Sequence, residues 1–439
     1  MTTELNAITF KAQSCPKHRF QNLYGLMRED LLYRSWGQLN KHSKPGIDGV
    51  MPNQYKQQLV KNVAQLAEAL KQKRYRANDI KRVFIPKANG KQRPLGLPTI
   101  EDKLVQQSVS QILQSIWEAD FLRNSYGYRP NKSAHQAVHS LTLNLQNSGY
   151  GYIVEADIKG FFNNLDHDWL MRMLKERIDD KAMLSLINQW LKARIKTPEG
   201  IFEKPESGSP QGGIISPVLA NIYLHYALDL WFEKKVKPKM KGRAMLIRYA
   251  DDFVCAFQYA NDAERFYKVL PKRLAKFNLD VAPEKTALLR FSRFHPGRKR
   301  QFAFLGFAFY WAKDKKGNAH LRRVTSAKKQ QASLKAMLIY IKKKRFEKLN
   351  CWAFELRRKL RGHHNYFGLP DNSRACGYFY HLLVHSLFKW LNRRSGRKSY
   401  NWSNFKKMLT YYGLERPRVS KRFIHVDWYQ ERVFTRVNV

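Results

Sequence analysis

Apolar residues gather in short runs between polar turns along the first part of the chain, then adopt helical spacing after Trp311. Ala244–Ile247 (AMLI) and Phe253–Phe257 (FVCAF) have the length and composition of buried strands. RYADD lies between them, so Asp251 and Asp252 fall in or beside a tight turn. Tyr152–Ala156 predicts another strand with Asp157 at its end, followed by a helix through Trp169, Leu170, Met173, Leu174 and Ile178. Asp166 or Asp168 would cap that helix. Ser216 and Pro217 predict the N-cap and first position of a helix through Val218, Leu219, Ile222 and Tyr223. Nearer the N-terminus, Arg19–Val50 predicts an amphipathic helix carrying Leu23, Leu26, Leu31 and Trp36 and ending near Pro45. Ser326–Arg345 places Leu334, Met337, Leu338 and Ile341 on one face and lysines on the other. In Phe354–Phe405, Phe379, Leu382, Leu383, Leu387, Trp390 and Leu391 are the expected core.

At 439 residues, 44% of them hydrophobic, the chain can bury two or three subdomains. The charge changes the picture more. Lys+Arg number 80 against 35 Asp+Glu, a net of +45, which points to a polyanion, most simply nucleic acid. It is uneven: Arg290–Val439 holds 36 basic and 7 acidic residues. No run of about 18 apolar residues offers a membrane span, and the N-terminus lacks the layout of a signal peptide, so a cytoplasmic site, bacterial or organellar, is expected. Cys15, Cys255, Cys351 and Cys376 form no C-x-x-C pair and read as buried thiols.

In so basic a chain, two adjacent aspartates require an explanation. Neighbouring carboxylates repel unless a cation, an Arg or open water relieves them. A solvated hairpin turn would be enough. Yet Asp157 at one strand end, facing two carboxylates of a neighbouring hairpin, is an arrangement that holds two Mg²⁺ ions about 4 Å apart for in-line phosphoryl transfer. Between the acidic sites lies GSPQGG, whose Gly208, Gly212 and Gly213 let backbone approach another chain or a ligand.

Seven ordered segments carry a resemblance: Val83–Gln106 (VFIPKANGKQRPLGLPTIEDKLVQ), Ser125–Val138 (SYGYRPNKSAHQAV), DIKGFF, GSPQGGIISPVLANIYL, YADD, PEKT (Pro283–Thr286) and FLGF (Phe304–Phe307). Together they resemble the reverse transcriptases encoded by group II introns, the intron maturases. The resemblance implies an α+β right-hand polymerase. It assigns 1–75 to an N-terminal extension, 76–149 to fingers and 150–315 to an antiparallel-sheet palm, with a fingers segment near 180–206. An α-helical thumb or maturase domain would span 316–400, and 401–439 would be a short basic nucleic-acid-binding segment.

By the same resemblance, Asp157, Asp251 and Asp252 are catalytic and bind metal together with the Ile158 main chain. Asp252 is the lesser ligand. The metals would be two Mg²⁺, with Mn²⁺ as a substitute. Lys87 and Arg93 match the residues on the incoming triphosphate and Gln211 another nucleotide contact. Phe162 matches the aromatic gate against a ribose 2′-OH, and Lys285 matches a weaker motif at the nucleotide. FLGF resembles the primer-positioning strand pair, although Phe304 and Phe307 read equally as core. Candidate RNA contacts in the basic half are Lys342, Lys343, Lys344, Arg345, Arg357, Arg358, Arg361, Arg393, Arg394, Arg397 and Lys398, interleaved with aromatics able to stack on bases. The partners implied are group II intron RNA, an RNA template with DNA primer, dNTPs and target DNA, without a membrane. Asn163 departs from the Asp many relatives carry, and no C-x-x-C and His-rich endonuclease pattern appears. The rival readings are an RNA-binding maturase with little or no polymerase activity and a stand-alone bacterial reverse transcriptase of a retron or defence system.

Overall fold

The computed structural model describes residues 3–86, 92–209, 212–297, 299–394, 398–414 and 416. Lys87, Gln211, Arg397 and, apart from Arg416, everything beyond Leu414 in the 401–439 segment lie outside the described residues. The chain divides into two compact units, Met1–Arg290 and Phe291–Val439.

The described strands of the first unit are β1 (Ile80–Pro86), β2 (Gln92–Leu97), β3 (Tyr152–Lys159), β4 (Ile195–Lys196), β5 (Phe202–Glu203), β6 (Ala244–Tyr249), β7 (Asp252–Phe257), β8 (Asp280–Val281) and β9 (Ala287–Arg290). One sheet has the order β2-β1-β4-β5, with β4 parallel to β1. The other has the order β6-β7-β3, and the far edge of β3 pairs with β9 along its first half and β8 at its end. Every pairing in this second sheet is antiparallel. From Ala244 to Arg248 and from Phe253 to Phe257 every residue is buried. An unbroken apolar run suits a strand covered on both faces. Here helix Ala260–Ala275 packs on β3, β7 and β9, and helix Ala134–Asn147 on β6. The first of these turns Ala263, Phe266, Leu270 and Leu274 inward at intervals of three and four. Helix Ile100–Trp117, almost wholly buried, packs against helices Thr3–Ser14 and Glu29–Gln38 and so ties the N-terminal residues to the core.

Several sequence expectations need correcting. The N-terminal amphipathic segment is not one helix ending near Pro45. A 3₁₀ turn, Tyr24–Leu26, precedes helix Glu29–Gln38, because Arg28 is extended (φ −99°, ψ 174°) and breaks the helical run. Ser216 begins its helix rather than capping it. Ile215 already has helical angles, and the Ser216 hydroxyl instead accepts from Ser209 at 2.7 Å. Asp157 lies two residues inside β3, and Asp252 opens β7, which leaves Ala250 and Asp251 as the whole turn. Asp166, one of the two candidate caps, takes the Trp169 N–H at 2.9 Å.

In the second unit β10 (Phe302–Phe304), β11 (Phe307–Lys313) and β12 (Ala319–Thr325) form an antiparallel sheet. Leu305 (φ 51°) and Gly306 (φ 81°) join β10 to β11 with both turn residues left-handed, the signature of a two-residue hairpin. Phe304 and Phe307, on either side, are fully buried in core. Helices Ala327–Lys344, Leu349–Phe367, Ser373–Leu391 and Trp402–Tyr411 share a core that includes Ile341, Trp352, Leu356, Phe379, Leu387 and Phe405. Leu382 and Trp390, expected there, are only half-buried. Cys15 and Cys351 are likewise not the buried thiols expected: Cys15 is half-buried and Cys351 exposed, while Cys255 and Cys376 are buried. Among the described residues no helix is long and apolar enough to cross a membrane.

Candidate active site

Register brings the acidic residues together. β3 and β7 pair so that Asp157 lies directly opposite Asp252, and in the β6–β7 hairpin Asp252 lies opposite Tyr249. Residues directly opposite across antiparallel strands present their side chains on one face, so Asp157 and Asp252 share a face beside Asp251 in the turn. Burial, above all, raises the Asp251 carboxyl above the ordinary carboxylate range, and the charge of Asp157 adds to the rise. Arg93 and Lys285 lie near enough to pull it back down. The Lys285 ammonium pairs with Asp157 Oδ2 at 2.5 Å, and that bond raises the lysine's own pKa. Ile158 is buried and faces Val281 in β8, so only its main chain is offered to a ligand.

The turn itself is unusual. Ala250 has φ 57°, in the left-handed region usually left to glycine. Gly127 of the SYGYRP segment lies directly against it: a Cβ there would sit 2.3 Å from the Ala250 nitrogen. The same segment runs along β6, with Arg248 N–H donating to the Asn124 carbonyl and Tyr126 N–H donating to the Arg248 carbonyl, each at 2.9 Å. Arg129 holds the far end of the segment. Its guanidinium donates to both Glu118 oxygens and to the Leu122 and Ser125 carbonyls.

Phe162 lies in the 3₁₀ turn Phe161–Asn163 that follows Gly160 (φ 58°). Its ring stands 6.5 Å from that of Tyr128 and lines a 210 Å³ cavity with Pro94, Leu95, Gly96, Asn163 and Gly208. The glycine-rich segment closes onto this turn, as its glycines suggest. Gly208 (φ 90°) donates its N–H to the Leu165 carbonyl at 2.7 Å, and a Cβ on it would meet the Asn163 carbonyl at 2.7 Å. A Cβ on Gly212 would meet the Gly96 carbonyl at 2.5 Å, which ties the segment to β2. Arg93 is exposed near the start of β2, opposite Ile85. Lys87 and Gln211 lie outside the described residues.

Sequence reasoning missed two features here. Tyr128 stands beside Phe162 with a hydroxyl that burial and the Asp251 charge hold above its usual pKa. Arg248, inside RYADD, is fully buried against Asp229. A single charge inside each of the apolar runs AMLIRYA and HYALDLW was the signal, since buried charges are paired.

In the second unit the expected RNA-contacting residues divide into two groups. Lys342, Lys343, Arg358, Arg361, Arg393 and Lys398 are exposed, whereas Lys344, Arg345, Arg357 and Arg394 are half-buried. Arg345 stacks on Trp390 at 4.8 Å and Lys344 pairs with Glu347 at 2.8 Å. Arg397 lies outside the described residues.

The acidic site offers hard carboxylate oxygens, one of which, on Asp157, is already paired with a cationic ammonium. That chemistry fits a divalent ion of the magnesium type, which takes one or two carboxylates and completes its shell with water and phosphate. No three acidic, His or Cys side chains among the described residues converge as a ready-made cage.

Residues 85–309, just over half of the chain, match the family model described as reverse transcriptase (RNA-dependent DNA polymerase). The chain is 28% identical to the group II intron-encoded protein LtrA of Lactococcus lactis subsp. cremoris, across 92% of this chain and 80% of that protein. It is 31% identical to protein YkfC of Escherichia coli K12, covering 55% of this chain and 72% of YkfC. Over 48% of its length it is 34% identical to a 91 kDa protein in the cob intron of Schizosaccharomyces pombe, of which the match spans 26%. The chain belongs to the reverse transcriptase family, α+β enzymes of the right-hand polymerase class that use divalent metal ions, and within that family it is similar to group II intron-encoded proteins.

Proposed function

We propose that the chain copies RNA into DNA for a group II intron, and binds that intron's RNA to assist splicing and retrohoming. The observation that carries the polymerase reading is the register that sets Asp157 and Asp252 face to face beside Asp251. On this reading Asp157, Asp251 and, to a lesser degree, Asp252 hold two Mg²⁺, with Mn²⁺ as a substitute, and the Ile158 carbonyl is a further donor. When bound, the metal lowers the pKa of the primer 3′-OH and offsets charge on the leaving pyrophosphate.

Arg93, with Lys87, meets the triphosphate oxygens, for which a guanidinium fork is suited. Gln211 contacts the nucleotide. Phe162, braced by Tyr128, closes the space where a ribose 2′-OH would sit and so favours dNTPs. Lys285, released from Asp157, is a cation at the nucleotide's phosphates. The palm on this reading reaches past β9 to about residue 315, and the thumb follows from 316 to 400. The exposed lysines and arginines of the thumb neutralise phosphates of intron RNA, template–primer and target DNA, which makes that binding salt-dependent.

The test is primer extension on poly(rA) with oligo(dT), dTTP and Mg²⁺, comparing the natural chain with Asp251→Asn. Extension by the natural chain alone, with RNA binding equal in both, is the expected result. No extension by either, with RNA still bound, would leave an RNA-binding maturase.

A further inference from the structure

Beneath the acidic turn lies a polar cluster with no exit to solvent. Arg248, Asp229 and Asn221 are each 0–1% exposed. The Arg248 guanidinium donates from Nε to Asp229 Oδ1 at 2.8 Å and from Nη2 to Asp229 Oδ2 at 2.5 Å. Its Nη1 donates to Asn221 Oδ1 at 3.0 Å and to the main-chain carbonyl of Ala250 at 2.9 Å. Asn221 in turn donates to the carbonyl of Gly127, the glycine packed against the same turn, at 2.7 Å. The two side chains therefore hold the turn at two points, one through Ala250 and one through the glycine packed on it.

The scaffold behind them is equally specific. Asp229 ends a π-helical stretch, His225–Asp229, that continues helix Ser216–Leu224, the helix that carries Asn221. Such bulges re-aim a side chain within a helix and recur at functional sites. Ala250 is held at φ 57° without being glycine, a conformation that persists only where the surroundings over-determine it. A buried ion pair is weak evidence of stability by itself. One that spends a donor on the carbonyl immediately before Asp251 has a local task.

We propose that Arg248, locked by Asp229 and Asn221, is a positioning residue that fixes the Ala250–Asp251 turn and thereby sets the divalent-metal affinity of the acidic site. This rests on the reading of Asp251 as a metal ligand. Lysine cannot replace the arginine here, because one ammonium cannot span Asp229, Asn221 and the Ala250 carbonyl together as a planar fork does.

The experiment uses the full chain in two variants. Arg248→Lys keeps the buried charge pair. The double variant Arg248→Gln with Asp229→Asn removes both charges, so neither is left alone in the core. Mn²⁺ titrated without nucleotide and followed by electron paramagnetic resonance reads metal affinity directly. Template–primer binding and the thermal transition report the fold, and Mg²⁺-dependent extension reports activity. We expect Mn²⁺ binding to weaken about 10-fold or more in both variants, as when groups orienting a metal ligand are removed. The Mg²⁺ needed for half-maximal extension rises in step, while template–primer affinity and the dNTP KM at saturating Mg²⁺ hold. Folded variants with natural Mn²⁺ affinity would overturn the proposal, as would loss of the thermal transition and of template–primer binding in both. If the natural chain extends no primer yet its Mn²⁺ affinity drops in Arg248→Lys, positioning stands and the polymerase reading falls.

Discussion

Replacing Gly127 by alanine tests whether the acidic turn is held by close packing, without removing any polar group. An added Cβ would lie 2.3 Å from the Ala250 nitrogen, 2.9 Å from the Tyr249 carbonyl carbon and 3.0 Å from Ala250 Cα, where ordinary contact begins at 3.4 Å. All three are backbone atoms, so nothing can rotate aside. The two segments must part by about 1 Å against the hydrogen bonds that join them at Arg248 and Asn221. Gly127 is not left-handed, so alanine suffers no backbone strain, and the collision is the whole perturbation. Overpacking of this kind costs about 1–3 kcal/mol, less than the roughly 5–15 kcal/mol that holds a domain folded. The fold therefore survives. A reacting group displaced by about 1 Å loses on the order of 100-fold in rate, and Asp251 is the next residue after the one pushed. Extension on poly(rA)/oligo(dT), template–primer affinity and thermal midpoint in the same preparation should show turnover down about 100-fold and affinity unchanged. Natural turnover with a lowered midpoint would refute the link between this contact and the acidic site.

Arg129→Ala should destabilise the first unit by about 1–3 kcal/mol, because it leaves the partly buried Glu118 carboxylate and the Ser125 carbonyl without the guanidinium and takes from the Leu122 carbonyl one of its two donors, the Ser125 N–H remaining; denaturant titration reads this, and a loss under about 1 kcal/mol would sink it. Acid stability should depend on His225, whose pKa burial lowers to about 4. The folded state keeps this imidazole neutral while the unfolded chain binds its proton near pH 6.5, so the stability it allows is intact above that value and is lost as pH falls toward 4, to a limit of about 3 kcal/mol. His225→Phe should flatten the denaturation midpoint between pH 6.5 and 4.5, and an unchanged slope would count against the assignment.

Much of the site was legible because strands obey simple rules. The apolar runs on either side of Asp251 could hardly be anything but buried strands, and the glycines of GSPQGG marked where backbone meets backbone. Other parts depended on partners distant in the chain. Nothing local says that Gly127 packs on Ala250, or that Asp229 and Arg248 find each other across a helix whose hydrogen-bond spacing changes midway. The N-terminal helix reads too long because Leu23 and Leu31, eight residues apart, keep helical spacing across the break at Arg28, where backbone angle and not hydrophobicity decides. In the basic half, counting charge could not separate Arg345, which covers Trp390, from Arg361, which faces water.

Among the described strands of its sheet, β3 alone pairs with β7, β8 and β9, and its side chains alternate faces with a period of two. One residue gained or lost between Tyr152 and Asp157 would turn the carboxylate to the opposite face while leaving every strand formed. The turn between β4 and β5, exposed over 198–201 and with open space around Gly200, carries no such arithmetic. Descendants of this chain, natural or engineered, are free to drift in length there, whereas the six positions from Tyr152 to Asp157 must be counted out unchanged.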